Sequence, residues 1–135
     1  MELHYDNNDL LDRKRCELLD ENGCLSYWGI YDFAFKYRTR IFDANDDEVA
    51  YVQKNIALTE DVVEFFDPGD QKIGSLLKSE NGYHNYPEDL LYEGDVQKGM
   101  IKDFMKVTDH KLYIENKDEA LKAAMILFAL VEVER

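Results

Sequence analysis

The segment that decides the fold is residues 40–49 (RIFDANDDEV), in which a polar turn separates two apolar runs. The same arrangement surrounds Asp20 earlier in the chain and Asp67 later in it, at nearly equal distances from Asp43. A period of about 24 residues is in the range typical of a repeated supersecondary unit. The sequence therefore predicts a mainly β fold, an antiparallel β domain made of repeated hairpins.

The turn residues indicate how each hairpin closes. An aspartate at the first turn position accepts a hydrogen bond from the amide two residues on. Asn22 and Gly23 tolerate the positive φ that a tight hairpin requires. Pro68 sets its own φ and Gly69 adds conformational freedom. Each unit thus has a turn signal as well as a strand signal.

The runs beside these turns are rich in β-branched and aromatic residues, as strands are. Strands are predicted at residues 25–31, 37–42 and 49–54, and shorter ones at residues 90–96 and 101–107. Side chains alternate between the two faces of a strand. For residues 37–42 this alternation separates two sets: Tyr37, Thr39 and Ile41 on one face, and Arg38, Arg40 and Phe42 on the other.

The C-terminal segment changes to helix-forming residues at Asp118. Asn116 is the predicted N-cap, and Glu119 could complete a capping box. Residues 123–131, flanked by Lys122 and Glu132, contain no polar side chain, and a helix that is apolar all round must be buried all round. The run is shorter than the roughly 20 apolar residues that cross a bilayer, so we expect a buried core helix.

The chain has 135 residues, the usual length of one domain, and we expect residues 1–135 to form a single domain. Its formal net charge is −13. Such a surface repels phosphate backbones, so we expect no nucleic-acid binding. The N-terminal segment lacks both the basic and the apolar region of a signal peptide, which predicts a cytoplasmic location.

The cysteines are predicted to be free thiols. Folding about Asn22 and Gly23 pairs Glu21 with Cys24 and brings Cys16 beside Gly29. The two cysteines then do not face each other, so we expect no disulfide between them.

Repeated hairpins followed by a buried apolar C-terminal helix resemble the LURF-one-related family, part of the tubby C-terminal-like group. The matching stretches are residues 36–43 with 48–54, 64–78, 92–95 and 111–133. The resemblance implies a closed antiparallel β-barrel around a central hydrophobic helix. Between Gly94 and Lys111 the sequence departs from the family, because most of one hairpin is missing there.

No known catalytic or cofactor motif occurs in the sequence: it has no nucleophile elbow, P-loop or dinucleotide glycine motif. Counting a calcium loop from Asp43 puts Glu48 where the loop needs glycine and Lys54 where it needs glutamate. We therefore expect no metal, no cofactor and no enzymatic activity. The first hypothesis is a binding or scaffold module, with a protein partner or self-association favoured over nucleic acid.

A basic strand face supplies the alternative hypothesis. Lys36, Arg38 and Arg40 fall on one face by alternation, and tubby-like domains are associated with phosphoinositide headgroups. The resemblance thus implies a lipid-headgroup or anion site at these residues, with membrane association as its consequence. The competing interpretation is that these cations pair with carboxylates on neighbouring strands. An enzyme with no recognisable motif is a third hypothesis.

Overall fold

The computed structural model describes residues 1–35, 37–55, 62–79, 82–86, 90–95, 99–102, 105–107 and 110–133. For residues 79 and 85 and for the strands between 90 and 107 it describes the backbone only. The chain is mainly β, with an antiparallel sheet and a C-terminal helix packed on it, as the sequence predicts.

The elements follow one another along the chain in a nearly all-β order. The strands are β1 Glu2–His4, β2 Cys16–Leu19, β3 Leu25–Tyr31, β4 Arg38–Asp43, β5 Glu48–Lys54, β6 Val62–Phe66, β7 Lys72–Ser79, β8 Gly82–Tyr86, β9 Leu90–Asp95, β10 Gly99–Lys102, β11 Met105–Val107 and β12 Lys111–Ile114. The helices are α1 Asn7–Leu11, a 3-10 turn at Lys117–Glu119 and α2 Ala120–Val133.

Strand pairing is antiparallel throughout, and each strand from β2 to β11 pairs with the next along the chain. The first strand, β1, pairs with β12 through Leu3 and Leu112 and with β2 through His4 and Leu19. On the face turned toward α2, Leu18 and Ile41 are fully buried, whereas Arg38, Arg40 and Phe42 on the opposite face of β4 are half-buried.

The repeated aspartate turns have one hydrogen-bonding pattern. In the first, Asp20 Oδ1 accepts from the amides of Asn22 and Cys24, both at 2.9 Å. Asp43 and Asp67 do the same for the amides two and four residues on. The predicted contact to the second residue is confirmed, and a further contact to the fourth closes the corner.

The turns are one residue wider than a two-residue hairpin. Asp20 N donates to Cys24 O at 2.8 Å, and the register shifts between Leu18 and Leu19. The expected pairing of Glu21 with Cys24 is therefore wrong, because the second contact of the aspartate carboxylate favours the wider turn. Further along β2 the expected register returns, with Cys16 opposite Gly29.

The fourth residue of each turn has a left-handed backbone. In the first turn it is Gly23, with φ of 77°. In the third turn it is Asp70, at 67°, so the freedom of Gly69 is not what this turn uses. Aspartate is among the non-glycine residues that tolerate this conformation best. A prediction from glycine positions alone therefore places the left-handed residue of the third turn at Gly69 and not at Asp70.

The predicted strand at 101–107 is two strands. Lys102 pairs with Met105, so β10 and β11 form a hairpin across two intervening residues. The sequence there lacks an Asn-Gly or Pro-Gly signal, so the pattern predicts one strand. This short hairpin lies between Gly94 and Lys111, the stretch where the resemblance predicts that most of one hairpin is missing.

The C-terminal helix is buried, as predicted. Asn116 is the N-cap and its side chain accepts from the amide of Asp118 at 3.0 Å. Glu119 does not complete a capping box in the described contacts; its carboxylate lies 3.5 Å from Lys122 Nζ. α2 packs against β3 to β7 and β12, and its interior residues Ile126, Leu127 and Leu130 are fully buried.

Candidate functional site

A stack of side chains lies across β3 and β4 on the outer face of the sheet, the face turned away from α2. The rings of Trp28 and Phe42, opposite each other on the two strands, are within 13° of parallel with centroids 4.2 Å apart. The guanidinium of Arg15 lies 3.8 Å from the indole centroid, and Trp28 Nε1 donates to Asp46 Oδ1 at 2.9 Å. We call Arg15, Trp28, Phe42 and Asp46 the first stack.

A second stack of the same design lies across β5 and β6. Tyr51 and Phe66 are opposite each other, within 14° of parallel and 4.9 Å apart. The guanidinium of Arg38 lies 4.4 Å from the Tyr51 ring, and the Tyr51 hydroxyl donates to Asp70 Oδ1 at 2.6 Å. We call Arg38, Tyr51, Phe66 and Asp70 the second stack.

The two stacks are copies separated by the period of the aspartate turns. Each member of the second stack follows its counterpart in the first stack by one repeat: Arg38 follows Arg15, Tyr51 follows Trp28, Phe66 follows Phe42, and Asp70 follows Asp46. This correspondence holds for the two arginines, the first rings, the second rings and the final aspartates alike. Neither stack is predicted from the sequence above, although the shared period is the signal that could have found them.

The arginines of the two stacks differ in their partners. Arg15 Nη2 lies 3.2 Å from the carboxylate of Glu17. Arg38 Nε and Nη2 donate to the amide oxygen of Gln53, at 2.9 and 2.5 Å. Among the described residues no carboxylate lies within ion-pairing distance of Arg38.

The predicted basic face is brought together only in part. Arg38 and Arg40 lie on the outer face of β4, and Lys36 lies outside the described residues. Arg40 is held between Asp32 and Glu48, with both N–O distances at 2.7 Å. For Arg40 this is the cross-strand pairing that the sequence offered as the alternative to an anion site.

An exposed aromatic loop adjoins Arg38. This loop, residues 32–35, follows β3 and precedes β4, and Phe33 is 85% exposed while Phe35 is 46% exposed. Phe35 lies 3.9 Å from the Arg38 guanidinium, measured to the ring centroid. Phe33 packs edge-on against Tyr31 at 4.9 Å.

The aromatic loop is fixed by hydrogen bonds. The Asp32 amide donates to Arg38 O at 2.9 Å, and Asp32 O accepts from the Phe35 amide at 3.1 Å. Asp32 Oδ1 accepts from the Ala34 amide at 3.0 Å. After the loop, Tyr37 has a φ of 60° and its amide donates to the Tyr31 hydroxyl at 3.0 Å. The exposed rings are therefore presented from an ordered turn.

The electrostatics of the loop keep Asp32 ionised. Partial burial on its own would raise the pKa of Asp32, but the hydrogen bonds from Arg40 and Ala34 and the charges of Arg40 and Arg38 hold its pKa below the usual value. The carboxylate thus stays charged and keeps Arg40 neutralised.

A buried ion pair closes the end of the sheet near the aromatic loop. Glu132, at the last turn of α2, is 1% exposed, and its Oε2 lies 2.9 Å from Arg13 Nη2. Thr39 donates to Glu132 Oε1 at 3.3 Å. The Arg13 guanidinium also lies 4.4 Å from the Tyr31 ring. In the sequence, Glu132 is recognisable only as a flank of the apolar run.

A cavity of about 10 Å³ lies beside this pair, lined among others by Cys16, Gly29 and Phe128. It has room for about one water molecule. Burial, together with the charges of Asp9, Asp6 and Glu17, raises the pKa of Cys16 to about 12, so this thiol stays protonated at neutral pH. Both cysteines are free, as predicted, and Cys24 is exposed.

Within the part of the chain that the structure describes, no three His, Cys, Asp or Glu side chains are grouped to hold a metal ion. Nor is any described helix both long and apolar enough to cross a membrane. Comparison with protein-family models, curated proteins and solved structures finds no match for this chain.

Proposed function

We propose that the chain is a non-enzymatic, cytoplasmic binding or scaffold module of the LURF-one-related, tubby C-terminal-like design, formed by residues 1–135 as one domain. In this proposal the sheet closes into a barrel around α2. Its support is the pairing of β1 with β2 on one side and β12 on the other, together with the burial of α2.

The observation that supports binding at the surface is that the apolar helix α2 fills the inner face of the sheet. From Ala123 to Leu130 its side chains are at most 7% exposed, so they fill the space that a ligand would need. Small-molecule sites are cavities of about 300–1,000 Å³, whereas the cavity beside Glu132, in the part of the chain that the structure describes, measures about 10 Å³. We therefore assign recognition to the outer surface.

On that surface we assign the contact to the aromatic loop and the second stack. Protein interfaces rely on a few aromatic and arginine anchors. Phe33 and Phe35 supply aromatic side chains, and Arg38, at the start of β4 just after the loop, supplies an arginine. The loop hydrogen bonds fix these anchors before binding, which lowers the entropic cost of association.

The experiment is affinity capture from the source cell with three forms of the full chain. The forms are wild type, the double variant F33S/F35S, and Ile73→Ser as a control, since Ile73 is an exposed apolar residue on β7 (41% exposed). We expect a protein that wild type and the control retain and the double variant loses. Retention by all three forms, or no specific protein, would contradict this assignment.

The alternative is a lipid-headgroup or anion-binding module at Lys36, Arg38 and Arg40. Its support is that Arg38 has no carboxylate partner among the described residues. Against it stands Arg40, which two carboxylates already neutralise. Flotation with anionic liposomes at low salt tests it, and no recovery of protein with the vesicles would eliminate it.

A further inference from the structure

We propose that the open edge of Arg38 receives one aspartate or glutamate side chain of a partner polypeptide, whose flanking apolar side chains contact Phe33 and Phe35. The occupant is an acidic-apolar segment of another protein. This inference rests on the proposed binding function and adds the chemistry of the partner.

The geometry leaves one edge of the guanidinium available. Phe35 lies 3.9 Å and Tyr51 4.4 Å from the Arg38 Cζ, measured to the ring centroids. Nε and Nη2 donate to Gln53, and Nη1 has no acceptor among the described residues. A guanidinium is a planar fork that binds a carboxylate through two parallel N–H donors. The remaining donors of Arg38 can bind one such group.

The other arginines nearby have carboxylate partners. Arg13 is paired with Glu132, Arg15 with Glu17, and Arg40 with two carboxylates. Arg38 differs because Gln53, which faces it on β5, is a neutral amide. An amide accepts the hydrogen bond but carries no charge, so Arg38 has no carboxylate within ion-pairing distance among the described residues, and only the longer-range charge of Asp32 acts on it.

The apolar part of the site is adjacent to this charge. Phe35 contacts Arg38 and is 46% exposed, and Phe33 is 85% exposed in the same turn. A carboxylate that binds Arg38 therefore brings its neighbouring side chains to exposed rings. The combination selects a segment with mixed acidic and apolar character over a purely acidic one.

The charge distribution favours a peptide over an anionic membrane. A membrane presents many negative charges, and a chain with a net charge of −13 is repelled by them at long range. The aspartate turns, which contain Asp20, Asp43 and Asp67 and no Lys or Arg, are at the opposite end of the sheet. They repel an acidic segment there and leave the aromatic loop as the accessible end.

The test is selection of a random peptide library on the immobilised full chain, in parallel with R38Q and the matched control R15Q. We expect wild type and R15Q to enrich peptides with one Asp or Glu flanked by apolar residues. R38Q should lose this enrichment, with affinity for an enriched peptide falling about tenfold or more. Thermal unfolding of each variant shows whether it is folded.

Three outcomes would overturn the inference: enrichment without acidic residues, an acidic preference that survives in R38Q, or no enrichment. A capture experiment that still retains a partner through Phe33 and Phe35 would then leave the binding function standing. Binding of wild type to phosphatidylserine vesicles that R38Q loses, without peptide enrichment, would assign the edge to a membrane and overturn the peptide. Loss of both capture and enrichment would remove the binding function itself.

Discussion

The first and second stacks are two versions of one design. In each, an arginine lies over a first aromatic ring, and this ring stacks on a second one. The side chain of the first ring also donates a hydrogen bond to an aspartate of a turn. They differ at the arginine, which faces Glu17 in one and Gln53 in the other. The repeat thus keeps the same supporting contacts in both copies, whereas only the first-stack arginine has a carboxylate within ion-pairing distance among the described residues.

The largest effect is expected from a change that removes the support of both stacks at once. Leu127 in α2 is fully buried, and Leu127→Asp places an unpaired carboxylate in the core. The cost should exceed about 4 kcal/mol and abolish folding. Near-ultraviolet circular dichroism and thermal unfolding measure it, with the exposed Glu115→Gln as control. A soluble, cooperatively unfolding Leu127→Asp variant would show that α2 is peripheral.

The next largest effect concerns Arg13. Arg13 and Arg38 both lie over an aromatic ring, but only Arg13 also pairs with a buried carboxylate among the described residues. Arg13→Met removes the ion pair with the buried Glu132 and should cost about 3–5 kcal/mol. The double variant R13M/E132L removes both charges and should be more stable than R13M. Urea unfolding measures all three chains. A double variant less stable than R13M would mean that the buried carboxylate costs no stability without Arg13, which contradicts the expected loss in R13M.

A smaller loss of stability is expected from a change in the packing against α2, where the two repeats differ at one position. A Cβ at Gly29 would lie 2.5 Å from the Phe128 ring, whereas the equivalent position of the next repeat is occupied by the larger Val52. Gly29→Ala should destabilise by about 1–3 kcal/mol through overpacking. Adding Phe128→Leu should recover part of the loss in thermal unfolding. If G29A alone melts like wild type, the close contact does not constrain this repeat.

The sequence predicts the features that depend on residues close together in the chain, and misses those that join residues far apart in it. The aspartate turns and the apolar helix are local patterns, so the places of Asp43 and Leu127 follow from the sequence. The stacks join residues from different strands, and Trp28 meets Phe42 only when the register is fixed. Glu132 and Arg13 are 119 positions apart, so neither local pattern indicates the other. The exposure of the aromatic loop depends on the folded turn in the same way.

The smallest effect is a pKa change confined to the second stack. Burial, then the hydrogen bond and charge of Asp70, raise the pKa of Tyr51 despite the opposing charges of Arg38 and Arg40. A raised folded pKa stabilises the fold below the unfolded value of about 10, and the contribution is lost as pH rises through the folded value. Asp70→Asn should lower the pKa of Tyr51, measured by carbon NMR of labelled tyrosine. Asp46→Asn, the matched change in the first stack, should leave it unchanged, and an equal shift in both variants would refute the local cause.

The proposed site depends on an open edge of Arg38 that can bind a carboxylate, which distinguishes Arg38 from its counterpart Arg15. Its most direct test is nitrogen NMR of the arginine side chains while propionate, a carboxylate with a short apolar tail, is titrated into the full chain. We expect a saturable shift of the Arg38 Nη signals and much smaller shifts for Arg15 and Arg40. Unchanged Arg38 signals, or equal shifts of all three arginines, would contradict it.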